Sequence, residues 1–217
     1  MVTVMLMKSL SALALVGCLV STPMVMADDA PKAMIAPDLF SFEVMHEGKP
    51  VVVMRNQNPE NRISDLYATT FRGMPQPMHP FEPYDVETLG EREFVKYMMD
   101  AQKDTKILIV DTRTIGWHQR LSIPGAVSYP YTMMDDPADK DWALDDFGAK
   151  KQADGSYDFS HTKTLAMFCN GYWCGQTPAM IRALLDVGYP ANKLKYYRGG
   201  MQAWTSLGFT VVGEGAE

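Results

Sequence analysis

Cys169 and Cys174 stand five residues apart in the segment Thr-Leu-Ala-Met-Phe-Cys-Asn-Gly-Tyr-Trp-Cys-Gly-Gln, residues 164–176. A thiol acts as a nucleophile only as its thiolate, so the question is what would stabilise the anion. The apolar run Leu165–Phe168 ends at Cys169, a glycine-containing loop follows, and an amphipathic stretch begins at Thr177. This order reads as strand, loop, helix, with Cys169 at the first loop position. The backbone of Asn170, Gly171, Tyr172, Trp173, Cys174, Gly175 and Gln176 and the helix N-terminus would then surround the sulfur and lower its pKa. Gly171 and Gly175 would let the backbone curl around it. Tyr172 and Trp173 either form an apolar mouth or pack on neighbouring helices.

Three roles are open to Cys174. It can resolve an oxidised or sulfur-loaded Cys169 by forming a disulfide. It can help bind a soft metal such as Cu(I). Or it simply faces the pocket. Zinc fits poorly, because four ligands are needed and His161 falls before the strand, at its opposite end. Met74, Met78 and His79 are of the type that binds copper, but nothing is placed to complete a site, so they read as a surface loop. His46, His79 and His118 are scattered and read as structural or exposed. No metal site and no cofactor is expected.

The elements that must hold this loop follow from periodicity. Ser41–Met54 reads as two strands, a candidate hairpin turning at Glu47-Gly48-Lys49-Pro50. Residues 55–85 carry a Pro-rich run and read as an irregular, wrapping connection. Thr88-Leu89-Gly90-Glu91 has the form of a capping box before a helix bearing Phe94, Val95, Tyr97 and Met98. Strands are expected at Lys106–Val110, after Ile123-Pro124-Gly125-Ala126, at Thr164–Phe168 and at Leu194–Tyr197. Helices are expected at Thr114–Arg120, Asp136–Phe147, Thr177–Val187 and Met201–Leu207. Strands alternating with helices predict an α/β fold with a doubly wound parallel sheet, whose sites form at strand carboxyl ends. Cys169 would stand at one such end.

The first 27 residues read as an export signal: Lys8, an apolar stretch from Leu10 to Val20, and Val25-Met26-Ala27 before a cut. Leu15-Val16-Gly17-Cys18 resembles a lipoprotein cleavage box, but the apolar run continues past Cys18, which fits cleavage after Ala27 better. The stretch is too short for a stable transmembrane helix. The expected compartment is a periplasm, with no stable membrane insertion after cleavage. There the mature chain has only the local pair Cys169 and Cys174, which is a redox, catalytic or metal pair and not a disulfide framework. The net charge of −6, with no basic cluster, argues against nucleic acid and anionic membrane surfaces as partners.

Three motifs in order make residues from about 87 to 213 resemble the rhodanese-like (sulfurtransferase) domain. They are Ile107-Leu108-Ile109-Val110-Asp111-Thr112-Arg113 with Ile123-Pro124-Gly125-Ala126, then Phe168-Cys169 with its loop, then Tyr197-Arg198-Gly199-Gly200-Met201-Gln202-Ala203-Trp204. The expected organisation is a signal at 1–27, an N-terminal extension at 28–85 and the rhodanese-like domain at 86–217. The resemblance implies a Cys169 that carries sulfane sulfur as a persulfide, a cradle at Asn170–Cys174, and support from Asp111 and Arg113, which could instead be a structural ion pair. It implies a small sulfur-donor molecule or a protein thiol as partner. The chain departs from the family where many thiosulfate-using members have Arg five residues after the cysteine: here it is Cys174, and the loop has no Lys or Arg. Related phosphatases need Arg one position later, where this chain has Gly175. The family's Gly-His before Ile-Pro-Gly-Ala is Leu121-Ser122. A thiol–disulfide redox protein using both cysteines and a non-catalytic binding module are the alternatives. The extension is expected to cover a sheet edge or to mediate dimerisation.

Overall fold

The structure is a computed structural model and describes residues 32–216. The segment read as an export signal, Cys18 included, lies outside the described residues.

The run Thr164–Phe168 is apolar on both faces, which suits a strand buried from both sides. It forms β8 of the chain, after β1 (Ser41–His46), β2 (Lys49–Met54), β3 (Glu87–Leu89), β4 (Ile107–Asp111), β5 (Val127–Ser128), β6 (Lys150–Lys151) and β7 (Tyr157–Asp158); β9 (Leu194–Tyr197) follows. The helices are α1 (Glu91–Ala101), α2 (Ile115–Arg120), α3 (Pro137–Asp146), α4 (Gln176–Asp186) and α5 (Gly200–Ser206). Five strands make one parallel sheet in the order β3-β9-β8-β4-β5. From β4 the chain winds outward to β5, and from β8 it winds the other way to β9. The sheet therefore has its switch point between β4 and β8, where sites form in such folds.

Alternate residues of the central strands feed two cores. Ile109, Ala166, Phe168 and Tyr197 face α1 and α5 through Phe94, Val95, Met98, Met201 and Trp204. Val110, Leu165, Met167, Leu194 and Tyr196 face α3 and α4 through Ala143, Leu144, Met180, Ile181 and Leu184. Phe94 stacks on Tyr197 at 4.3 Å and meets Phe168 and Trp204 edge-on. Trp204 is fully buried and donates its indole N–H to the Thr210 carbonyl at 2.8 Å, so its one polar atom is satisfied.

The hairpin forms as expected, with a tighter turn. Only Glu47 and Gly48 turn, at φ of 49° and 75°, the two positive values that a two-residue hairpin loop demands. Lys49 and Pro50 join β2. Val44 and Val53 enter the core shared with α1 and α5, so the hairpin helps to close that face of the sheet. The capping box does not form. Thr88 lies in β3, pairs with Tyr196 and donates its hydroxyl to the Met78 carbonyl, while Gly90 is the N-cap with no side-chain bond. Sheet pairing claims Thr88 three residues before the helix begins, and its hydroxyl is turned to Met78 and away from the first helical amides. Among the described residues no helix is long and apolar enough to cross a membrane.

Candidate active site

The parallel register sets Asp111 beside Phe168, so the residues that follow β4 lie against the residues that follow β8. Thr112 makes the join: its amide and its hydroxyl both donate to the Phe168 carbonyl, at 3.1 and 3.0 Å. Its hydroxyl also meets that of Thr177, in the first turn of α4, at 2.7 Å. From the other side the start of α5 holds the loop backbone. Met201 N–H donates to Cys169 O at 3.0 Å and Gln202 N–H to Asn170 O at 2.9 Å. That approach requires a glycine at 200: its φ is +53°, and a Cβ there would lie 2.3 Å from Cys169 O. At Gly171 a Cβ would fall 2.6 Å from the Trp173 ring, so a larger residue there would displace that ring. Gly175 is not required: it has an ordinary negative φ with open space beside it, so the curl of the loop does not depend on it.

Both thiols are reduced and buried, Cys169 at 2% and Cys174 at 7% exposure. The Cys174 N–H donates to Gly171 O at 2.9 Å, a turn that folds Cys174 back over Cys169. The Cys169 thiol points at the Cys174 carbonyl oxygen at 3.6 Å. Burial pushes the Cys169 thiol up, and the shared hydrogen bond with Cys174 adds to the rise, against donation from the Thr177 side chain and amide. Cys174 moves the other way, to about 7: the Cys169 thiol donates to it against the cost of burial, and the amides of Gln176 and Asn170 and the Arg113 charge assist. The direction expected for Cys169 is thus reversed in the reduced pair. Desolvation outweighs the helix N-terminus, and the loop amides serve the second sulfur. When protonated, Cys174 donates to Gln176 Oε1 at 3.7 Å.

Beneath the loop, Asp111 and Arg113 form a fully buried bidentate pair, with Arg113 Nε and Nη2 donating at 2.8 and 2.6 Å. The carboxylate also accepts from Ser122 Oγ at 2.9 Å and lies 3.0 Å from His118 Nδ1. Burial opposes the charge on Asp111, but hydrogen bonds from Arg113 and His118 and the Arg113 charge bring it down to about 2. Arg113 spends its remaining donors on the Leu121 carbonyl, the Tyr67 hydroxyl and Asn170 Oδ1, the last at 3.3 Å. The pair is therefore structural and supports the site as well. It fixes Asn170, the residue after Cys169, and reaches no solvent.

The extension completes the rim. The Tyr67 hydroxyl donates to Asn170 Oδ1 at 2.9 Å, and the Gln76 amide donates to Tyr172 O at 2.7 Å. Arg198 grips the Gln76 carbonyl through Nε and Nη2 at 2.9 and 2.7 Å, with its guanidinium over the Tyr172 ring. Arg72 lies over the Trp173 ring at 4.8 Å. A loop with no cation of its own is thus flanked by three guanidiniums from elsewhere in the chain. Thr70, Arg72, Gly73, Tyr172, Trp173 and Gln202 line a cleft of about 270 Å³ on this rim. A larger cavity of about 460 Å³, by Asn61, Arg62 and Phe209, includes neither cysteine, so the chemistry and not the volume locates the site.

Every residue expected at the site gathers here: Cys169, the loop Asn170–Gln176, Asp111 and Arg113. Tyr172 and Trp173 serve as both mouth and packing, with Tyr172 39% exposed and Trp173 against the core. Tyr67, Arg72, Thr112, Thr177 and Arg198 join the site without having been expected there, and His118, expected to be structural or exposed, supports Asp111 from below. Arg198 stood in a quoted motif, and Thr177 follows from a helix starting beside the thiol; Tyr67 and Arg72 left no signal. His161 lies before β8, at the end away from the thiols. Met74 and Met78 are exposed, and among the described residues no cluster of three or more His, Cys, Asp or Glu could hold a metal ion.

A cysteine at the switch point of a doubly wound parallel sheet, with its loop running into a helix, defines an α/β domain with a buried thiol at its site. The chain belongs to the rhodanese-like domain family, whose sequence model matches residues 94–207, more than half of its length. Similar solved structures include the BH2092 protein of Bacillus halodurans, at 20% identity and TM-score 0.41, covering 57% of this chain and 76% of that one. Another is the rhodanese-like domain of the Alr3790 protein of Anabaena sp., at 17% identity and TM-score 0.39 with the same coverage, 57% and 76%. A thiosulfate sulfurtransferase of Pseudomonas aeruginosa aligns at 22% identity and TM-score 0.38, over 59% of this chain and 20% of the enzyme. No curated protein matches the chain.

Proposed function

We propose that the protein is an exported sulfurtransferase that carries sulfane sulfur as a persulfide on Cys169. The observation that supports this most is the placement of a reduced thiol pair at the carboxyl end of the central strand β8, inside a rhodanese-like domain. Cys169 attacks a sulfane sulfur as its thiolate, its proton passing to solvent. The donor's remaining part, sulfite from thiosulfate or a shortened polysulfide, leaves with the bonding pair. Loop amides stabilise the developing charge on the outer sulfur.

The neutral loop selects the donor. No cation stands inside the cradle, and Arg72 and Arg198 act from the rim, so a dianion such as thiosulfate gains less here than in an Arg-bearing loop. Protein or low-molecular-weight persulfides, which carry at most one charge on their sulfane sulfur, are the better-matched donors. Cys169 is only 2% exposed, so the Tyr172–Trp173 tip must shift to admit them. Export rests on residues 1–27. N-terminal sequencing of the secreted or periplasmic chain should begin at Asp28.

The reading is tested by transfer of sulfur from polysulfide to cyanide, measured as thiocyanate. Cys169→Ser is expected to lower turnover at least about a thousandfold, as loss of a nucleophile does. Undiminished turnover in that variant would exclude Cys169 as the carrier.

A further inference from the structure

Cys174 is not needed to carry sulfur, and its position exceeds what a loop residue requires. The turn to Gly171 folds Cys174 back over Cys169, whose thiol lies 3.6 Å from the Cys174 carbonyl oxygen, and both thiols are buried in the same loop. No charged side chain in the loop offers the outer sulfur of a persulfide a seat. An outside acceptor must pass the Tyr172–Trp173 tip and the strap at Tyr67–Gln76, whereas Cys174 is already inside. A thiol held in contact reacts with the advantage of a very high effective concentration.

We propose that Cys174 resolves the Cys169 persulfide, expelling its outer sulfur as hydrogen sulfide and leaving a Cys169–Cys174 disulfide that an external dithiol then reduces. The proposal rests on Cys169 being the sulfur carrier. The Cys174 sulfur attacks the inner sulfur of the persulfide anion. The inner–outer S–S bond breaks, a Cys169–Cys174 bond forms, and the Cys174 proton leaves with the outer sulfur as HS⁻. The two cysteine sulfurs together lose two electrons and the sulfane sulfur gains them, so no further oxidant is required. A dithiol returns the pair to the reduced state by two thiol–disulfide exchanges and becomes a disulfide itself. The net reaction is reduction of sulfane sulfur to sulfide at the expense of a dithiol. The acceptor in this account is a reductant, with sulfide as the product.

The experiment treats reduced wild-type protein, Cys174→Ser and Cys174→Ala with one equivalent of inorganic polysulfide, then measures released sulfide and the masses of the Cys169 and Cys174 peptides. Wild type should release sulfide and lose two hydrogens in a Cys169–Cys174 crosslink. Both variants should keep one extra sulfur on Cys169 and release sulfide at least about tenfold more slowly. A wild-type protein that holds the extra sulfur on Cys169 with no crosslink overturns this proposal and leaves the sulfurtransferase reading standing. Absence of both sulfur and crosslink on Cys169 in all three proteins overturns both. The wild-type measurement decides even if a variant fails to fold.

Discussion

The Tyr67 hydroxyl donates to Asn170 Oδ1 at 2.9 Å, joining residues 103 positions apart in the chain. The contact ties the irregular segment before the sheet to the residue after Cys169, and Arg113 stands against both partners. The extension is therefore part of the site's wall, a role beyond the edge covering or dimerisation expected of it.

Removing that hydroxyl tests the tie. Tyr67→Phe keeps the ring in the core but leaves Asn170 and Arg113 each one partner short. The cost should be about 1–3 kcal/mol in urea unfolding. Alkylation of the cysteine pair by iodoacetamide should become faster, because the loop over it is less firmly held. Unchanged alkylation would mean that the strap does not restrain the loop.

The buried pair under the loop predicts a pH signature. Asp111→Asn leaves the Arg113 charge uncompensated and should cost about 3–5 kcal/mol near neutral pH. The folded pKa of Asp111, about 2, lies below its ordinary value of 3.8. Its contribution is therefore complete above about pH 4 and is lost as the pH falls toward about 2. The stability gap between wild type and Asp111→Asn should shrink by about 2 kcal/mol across that window. A gap that is constant with pH would contradict the assignment.

The thiol pair predicts a pH-dependent reactivity. With Cys174 at about 7, the alkylation rate should rise through that pH. Cys169→Ala removes the thiol that donates to Cys174, so the midpoint should move up toward the ordinary cysteine value. A midpoint unmoved by Cys169→Ala would show that the pair does not share its proton.

Arg198 predicts a charge preference. Arg198→Gln removes the cation over Tyr172 and loosens Gln76. Transfer from thiosulfate should fall about three- to tenfold, with a smaller change for a neutral persulfide, and the difference should narrow at high salt. Equal losses for both donors would assign Arg198 to structure alone.

The strands that matter most were legible because they are buried on both faces. Thr164–Phe168 and Leu194–Tyr197 coincide with β8 and β9 to the residue, since each is a short run of the length of a strand bounded by turn residues. The loop and its thiols followed from the strand end. The capping box misled because local pattern competed with pairing to β9, a contact with residues more than a hundred positions away. Tyr67 and Arg72 left no trace because a Pro-rich connection has no periodicity to say which side chains turn inward. The proton arrangement of the thiols was misjudged for a related reason. Spacing reveals a helix N-terminus near Cys169, but only the packed loop reveals how completely water is excluded and that Cys174 takes the amides. Gly175 shows the converse, a glycine that looks necessary in the sequence and meets nothing in the fold.

The central claim is that Cys169 bears the transferred sulfur, and Cys174→Ser exposes it most directly by removing the thiol that would discharge it. After treatment with polysulfide and removal of excess donor, the Cys169 peptide of this variant should carry one added sulfur atom that dithiothreitol releases as sulfide. A Cys169 peptide of unmodified mass, from folded Cys174→Ser protein, would contradict the account.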